Sequence, residues 1–391
     1  MATDSRTIRA SARTRTTTAK KTQVMRRDPA VMLTIVTSAL LLLGLAMIFS
    51  ASFVSSLNNE VSPFSVVRKQ ALWAVIGVVA FIAFSRIDYR KLKGWGYIGI
   101  VVVALLLLAV MIPGLGNTVG GSSRWLVFGP FSLQPSELAK IALILFIADV
   151  FSRKKPGAVK QLSHTILPVI PVLGLLALLI MAQPDMGTTM LIGSIGFGML
   201  FLSGAPLRYL TVMGGLGASI AVFGALAEPY RRERVLAFMN PWSDPLNTGY
   251  QTIQSLMAMG SGGFFGVGLG ASRQKWLYVP NAHTDFIYAI IGEEMGLLGT
   301  LTVLGMFAFL AYLGIRIARH APDRFGMYIA TGVTIWISVQ ALVNMGAVTA
   351  SLPITGVPLP LVSFGGSSLV VTLIGVGILT NIARQSRTKK K

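Results

Sequence analysis

Cysteine is absent from the 391 residues, so neither a disulfide nor a thiolate metal site can be built. Histidine is nearly absent. His164, His283 and His320 are the three, and no HExxH string or carboxylate cluster accompanies them, which argues against a metal centre held by the protein alone. Charge is scarce as well: 12% of residues are Asp, Glu, Lys or Arg, against roughly 25% in soluble chains. There is no nucleotide-binding string, since the glycine-rich GVGLGAS has neither the spacing nor the GK[ST] of a P-loop. There is no internal repeat and no paired pattern of broken helices, either of which would favour a secondary transporter.

Apolar residues take the place of charge. They make up 53% of the chain, mean hydropathy is +0.69, and they gather in runs long enough to cross a hydrocarbon layer of ~30 Å. Ten such runs are expected to span: 30–54, 66–84, 95–112, 136–152, 165–182, 186–204, 208–226, 284–315, 325–346 and 363–383. The expected fold is an all-α polytopic membrane protein of ten transmembrane helices. Only Gln183, Pro184 and Asp185 separate the fifth run from the sixth, a tight hairpin. The eighth run is overlong and must tilt or begin outside the hydrocarbon. Residues 1–29 are basic and lack apolar periodicity, the pattern of a disordered tail. The membrane domain is 30–383, and 384–391 is a second basic tail. The first run has no small-residue cleavage site at its end, so it reads as a retained span and not a signal peptide.

Orientation follows the basic residues. With the N-terminus inside, 25 of the 34 Lys and Arg fall in the two tails, in 85–94, 153–164 and 316–324, and at Arg208. Both termini are then cytoplasmic. The formal charge of +20 faces anionic lipid, which argues against nucleic acid as a partner. The outside face receives Pro113–Pro135, the large loop 227–283 between the seventh and eighth spans, and the proline-rich connection TASLPITGVPLPLVSFGGSS. Loops on a rigid scaffold commonly carry function.

The polar groups on that face are few. Asp285 stands where the large loop runs into the eighth span, with Glu293 and Glu294 about two turns further on. Carboxylates at membrane depth are expensive and therefore functional candidates, although an Asp at such a junction also suits a helix N-cap. Ser136 is a candidate N-cap for the fourth span. Glu137 and Lys140 share a face there at i, i+3; they form either a local ion pair or a positive charge in an outside cavity. Arg124 precedes them, beside Trp125, an interface-loving residue. Asp185 in QPDMGTT suits an N-cap that also ties the hairpin to a neighbouring loop. In the large loop, Arg231 and Arg234 share a face of a short helix. Tyr250–Met259 suits an amphipathic helix on the membrane surface, with Gln251, Gln254 and Ser255 among its polar members. The glycines after it permit close backbone approach. Outside-facing Arg and Lys, an interfacial helix and one placed carboxylate suit a lipid-linked pyrophosphate substrate, with Asp285 a general base on a sugar hydroxyl. A divalent ion held by Asp285 and substrate phosphate is compatible with this chemistry.

The strings GSSRWLVFGPFSLQPSELAK, QPDMGTT, MNPWSDPLNTGYQTIQS, GSGGFFGVGLGASRQK, AHTDFIYAIIGEEMG and LPITGVPLPLVSFGGSS, in this order from about Met32 to Ser386, resemble the SEDS family of bacterial membrane glycosyltransferases. The NPW-DP-GYQ wording is most similar to the division (FtsW-type) branch and less so to the elongation (RodA-type) branch. The resemblance implies polymerisation of lipid II into peptidoglycan strands at the outer face of the cytoplasmic membrane, at the division septum. It implies that Asp285 deprotonates the acceptor sugar's 4-hydroxyl, with undecaprenyl pyrophosphate as leaving group. Arg124, Lys140, Arg231 and Arg234 would bind pyrophosphate or organise loops. Glu137, Gln251, Ser255, His283 and Thr284 complete the candidate substrate-binding set. The implied partners are a class B penicillin-binding transpeptidase and other division membrane proteins. Asn281 departs from the Glu common in the family's PEAHTDF, leaving one carboxylate fewer beside Asp285. The same surface would also serve a lipid II flippase, or a scaffold that recruits division proteins through its basic tail.

Overall fold

The computed structural model describes residues 28–58, 62–119, 122–129, 131–154, 167–227, 232–233, 237–276, 279–280 and 282–388. Arg231, Arg234, Asn281 and the tail 1–27 lie outside the described residues. Eleven α-helices are described. They are α1 (Pro29–Asn58), α2 (Ser65–Arg86), α3 (Trp95–Val110), α4 (Pro135–Ser152), α5 (Ile170–Met181), α6 (Met186–Leu202), α7 (Leu207–Ala227), α8 (Tyr250–Ser261), α9 (Ile287–Arg319), α10 (Arg324–Val348) and α11 (Gly366–Thr388). One overlaps each of the ten apolar runs, and α8 is the expected short helix of the large loop. By length and composition α1, α2, α9, α10 and α11 can cross a membrane; α3, α5 and α6 are apolar but shorter.

The bundle is built around α4 and α10. Leu143, Ile144, Ile147, Ala148 and Phe151 of α4 are fully buried, as is Trp336 of α10. Around this pair α3 packs on α4, α9 and α6 on α10, α2 along α11, and α1 on α9. The outer helices bury one stripe only. On α3, Ile100, Val103, Leu107 and Val110 face inward, while Ile98, Val101, Leu105 and Leu108 are exposed. An exposed stripe as apolar as the buried one has no place in water, where contiguous patches of that size are rare. It suits lipid.

Three expectations change. The chain is mostly helical and not all-α: the stretch between α3 and α4 forms an antiparallel sheet of β1 (Gly116–Val119), β2 (Ser122–Phe128) and β3 (Phe131–Leu133), in the order β1-β2-β3 with a bulge at Asn117/Thr118. Ser136 is not the N-cap of α4. The helix starts one residue earlier, with Pro135 in its first turn and Gln134 as a cap that makes no side-chain bond; proline suits that position because its missing N–H needs no partner. At the other end of the chain, α11 continues past 383 to Thr388.

The overlong eighth run has a specific solution. Gly296 (φ 67°, ψ −163°) breaks α9, and the glycine-rich segment after α8 inserts at the break. Val267 N and Gly268 N donate to the carbonyls of Glu293 and Glu294, while Leu297 N and Leu298 N donate to the carbonyls of Gly263 and Phe264. The interrupted helical ladder is completed by another part of the chain, which is how non-helical backbone is tolerated at membrane depth.

Candidate active site

Asp285 lies in the turn that leads into α9. It is not the cap: Phe286 holds that position and makes no side-chain bond. The Asp285 carboxylate is half-buried and accepts from Thr284 Oγ1 at 2.9 Å. Its backbone is held from α10, where Asn344 Nδ2 donates to the Asp285 carbonyl at 2.7 Å and to that of Val357 at 2.8 Å. One side chain thus joins the turn to the proline-rich connection 353–365. The carboxylate faces that connection, since a Cβ built on Gly356 would sit 3.9 Å from Asp285 Oδ2.

The connection is tied down along its length. One turn before Asn344, Gln340 Nε2 donates to Pro358 O at 2.9 Å. Ser363 Oγ accepts from Leu359 N at 2.8 Å. Gln70 of α2, also buried, bonds both Ser363 O and Gly365 N. Phe364 N donates to the carbonyl of His283 at 2.9 Å, and the two rings meet edge to face at 5.6 Å. Leu361 is held at φ +66°, a conformation costing ~1–3 kcal/mol in a non-glycine residue and sustained only where its surroundings over-determine it. His283 is titratable; burial pushes its imidazole below the ordinary value, so it is neutral at pH 7.

Glu137 and Lys140 form an ion pair at 2.8 Å in which both side chains are buried. The Lys140 ammonium also donates to Gln340 Oε1 at 2.9 Å and sits 4.9 Å from the Trp336 ring centre. With 0% of its side chain exposed, Lys140 is placed beneath the connection and acts on it through Gln340. Arg124 on β2 reaches the α5–α6 turn, where it donates to the carbonyls of Gln183 and Pro184 and approaches Asp185 to 4.0 Å. Asp185 caps α6 by accepting from Thr188 N at 3.1 Å. The start of α6 in turn touches the connection: a Cβ on Gly187 would meet Thr355 O at 2.6 Å. Sheet, hairpin, connection and Asp285 therefore form one continuous set of contacts.

Ser255 is buried and donates to Val348 O at 2.6 Å; it docks α8 on the end of α10. Gln251 and Thr284 are half-buried. Glu293 and Glu294 hold the inserted segment. Glu293 accepts from Ser272 Oγ at 2.5 Å and from Arg273 N at 2.8 Å. Glu294 accepts from Ser50 Oγ at 2.6 Å and pairs with Lys275 at 3.3 Å. Among the described residues no group of three His, Asp or Glu converges, so a divalent ion here would need oxygens from its substrate beside Asp285, the usual arrangement for magnesium. The sequence reading passed over Gln70, Gln340 and Asn344. The signal was available, because each is a polar residue inside an apolar run.

Comparison with known proteins adds independent findings. A family profile described as cell cycle protein, covering FtsW, RodA and SpoVE, matches residues 30–388. Stage V sporulation protein E of Bacillus subtilis is 41% identical over 371 residues, which is 95% of this chain and 100% of that protein. The probable peptidoglycan glycosyltransferase FtsW of Geobacter metallireducens is 42% identical over 349 residues, 89% of this chain and 93% of that one. Among solved structures, a chain from a study of how a peptidoglycan synthase complex coordinates polymerization and crosslinking aligns with TM-score 0.73 and 27% identity, over 90% of this chain and 97% of that chain. RodA of Thermus thermophilus aligns with TM-score 0.66 and 26% identity, over 90% and 96%.

Proposed function

The chain belongs to the FtsW, RodA and SpoVE family, and from that premise we propose that this multi-pass membrane protein is a peptidoglycan glycosyltransferase that polymerises lipid II during septal wall synthesis. The observation that carries the site assignment is Asp285, a carboxylate at a loop-to-helix junction whose backbone is fixed by Asn344 and whose side chain faces the connection 353–365. In the reaction an Asp285 oxygen takes the proton of the acceptor sugar's 4-hydroxyl. The freed oxygen bonds to the anomeric carbon of the donor, and the bond from that carbon to undecaprenyl pyrophosphate breaks. Rigid placement of such a base is worth as much as its basicity.

The remaining roles follow on the same reading. Arg124, Arg231 and Arg234 bind the pyrophosphate or order the loops around it, and Lys140 with Glu137 supports the connection from below. Gln251, Ser255, His283 and Thr284 shape the acceptor side, and Asp285 would hold a divalent ion, which would supply charge neutralisation to the leaving pyrophosphate. Ten helices cross the membrane, both termini are cytoplasmic, and 227–283 lies outside. The partner is a single-span class B penicillin-binding transpeptidase. The test uses purified protein with that transpeptidase and labelled lipid II. Wild type is expected to make glycan polymer, and Asp285→Asn and Asp285→Ala are expected to make none while melting normally. Polymer from both variants at wild-type rates removes Asp285 as the base. Lipid movement across vesicles without polymer favours the flippase reading.

A further inference from the structure

The end of the bundle away from Asp285 holds a second feature that polymerisation does not use. A half-open cavity of about 210 Å³ lies between the 3-10 turn Tyr89–Leu92, the end of α4 and the start of α10, lined by Arg90, Lys93, Ser152, Asp323, Arg324 and Phe325. Three cations face one carboxylate. That carboxylate is already engaged: Asp323 accepts from Tyr89 OH at 2.7 Å, Arg90 Nε at 2.8 Å and Gly326 N at 2.8 Å. Arg90 is also flanked by Asp88 at 3.8 Å, so its charge is balanced within the fold.

The other two cations are not balanced in this way. Arg324 spends one guanidinium nitrogen on the carbonyl of Lys154 at 2.8 Å, an uncharged acceptor. Lys93 is exposed; its backbone N–H donates to the carbonyl of Arg90 at 3.1 Å, and its ammonium makes no hydrogen bond or ion pair among the described residues. The first turn of α10 adds the positive end of its dipole. Phe325, buried and stacked with Tyr89, gives the cavity an apolar floor. A guanidinium fork, a lysine point charge and a helix N-terminus together are a phosphate-binding set. The volume is below the ~300–1,000 Å³ of sites that enclose drug-sized ligands and suits a headgroup fragment. Basic pockets between helices at the membrane surface take anionic headgroups.

We propose that this cavity binds a phosphate-bearing anion, through Arg324 and Lys93, at the helix ends where lipid headgroups lie. Two sources share that chemistry, an anionic phospholipid and free phosphate. The experiment uses the full chain purified in detergent. Native mass spectrometry follows retention of added phosphatidylglycerol against phosphatidylcholine, and calorimetry follows inorganic phosphate. Wild type is expected to retain phosphatidylglycerol preferentially, and Lys93→Gln and Arg324→Gln are each expected to weaken retention about fivefold. Lys91→Gln, an exposed neighbour outside the cavity lining, is expected to change little, and Arg324→Lys to lose less than Arg324→Gln. Preferential retention of phosphatidylglycerol without phosphate binding assigns the site to lipid; phosphate binding of the same sensitivity assigns it to the free ion. Equal retention of the two lipids with no phosphate binding overturns the proposal. So does an equal loss in Lys91→Gln and Lys93→Gln, which would reduce the effect to diffuse surface charge.

Discussion

The side-chain amide of Asn344 donates to the backbone carbonyl of Asp285 at 2.7 Å, and its second bond, at 2.8 Å, goes to Val357. A buried amide on α10 thus sets the distance between the candidate base and the connection it faces. Asn344→Leu removes both bonds and leaves two carbonyls short of a donor, at about 1–3 kcal/mol each. The expected result is a drop in polymerisation rate of at least about tenfold, since small misplacements of reacting groups cost that much or more. Gel-resolved glycan synthesis with labelled lipid II measures it. A melting curve run in parallel should show a shift, but not unfolding at assay temperature.

Much of this arrangement was legible in the residues themselves. The apolar runs located the helices because length and apolarity are what a bilayer demands. Asp285 stood out as a carboxylate at a span boundary, and it is Phe286, not Asp285, that occupies the N-cap position of α9. The sheet was not legible because β1 and β3 are only 4 and 3 residues long and the central strand, SSRWLVF, does not alternate polar with apolar. Nor were the partners of Glu293 and Glu294. Ser272, Arg273 and Lys275 lie about twenty residues away, and only the break at Gly296 brings that segment back into the helix. Asn344, Gln340 and Gln70 carry no charge, so charge does not single them out, although a neutral amide in an apolar run carries the same kind of information.

The pair Glu137–Lys140 makes a stability prediction. Both side chains are buried and 2.8 Å apart. Lys140→Met strands a buried carboxylate, which typically costs about 3–5 kcal/mol. Replacing both, as Glu137→Gln with Lys140→Met, removes the stranded charge. The melting temperature in detergent should fall sharply for the single variant and recover most of that loss in the double. Equal losses in the two would mean that the ion pair is not what holds α4 at this point.

His283 makes a pH prediction. Burial lowers its pKa below the ordinary ~6.5, so between those values the unfolded chain binds a proton that the folded chain does not. Stability then rises with pH across that window. The contribution is complete above about pH 6.5 and is lost as pH falls toward the folded value. Melting curves from pH 8 to pH 5 should show this decline, and His283→Gln should flatten it. An unchanged slope in the variant would place the titrating group elsewhere.

The break in α9 makes the sharpest structural prediction. Gly296 holds φ 67° and ψ −163°, a region essentially restricted to glycine. A Cβ there would also meet Gly266 N at 2.4 Å and Phe264 O at 2.6 Å, backbone atoms that cannot rotate away. Gly296→Ala must therefore expel the inserted segment, and with it the bonds from Val267, Gly268, Ser272 and Arg273 to the Glu293–Glu294 pair. Alanine at Gly305 on the same helix meets nothing within 4 Å and serves as the control, since replacing glycine in a helix interior is by itself stabilising by ~1 kcal/mol. Gly296→Ala should lower the melting temperature and open Arg273 and Lys275 to trypsin, while Gly305→Ala should leave both at or above wild type. Glu293→Gln weakens the same attachment without steric conflict, so intermediate trypsin sensitivity in that variant would tie the effect to the inserted segment, and wild-type resistance would assign it to strain at Gly296 alone.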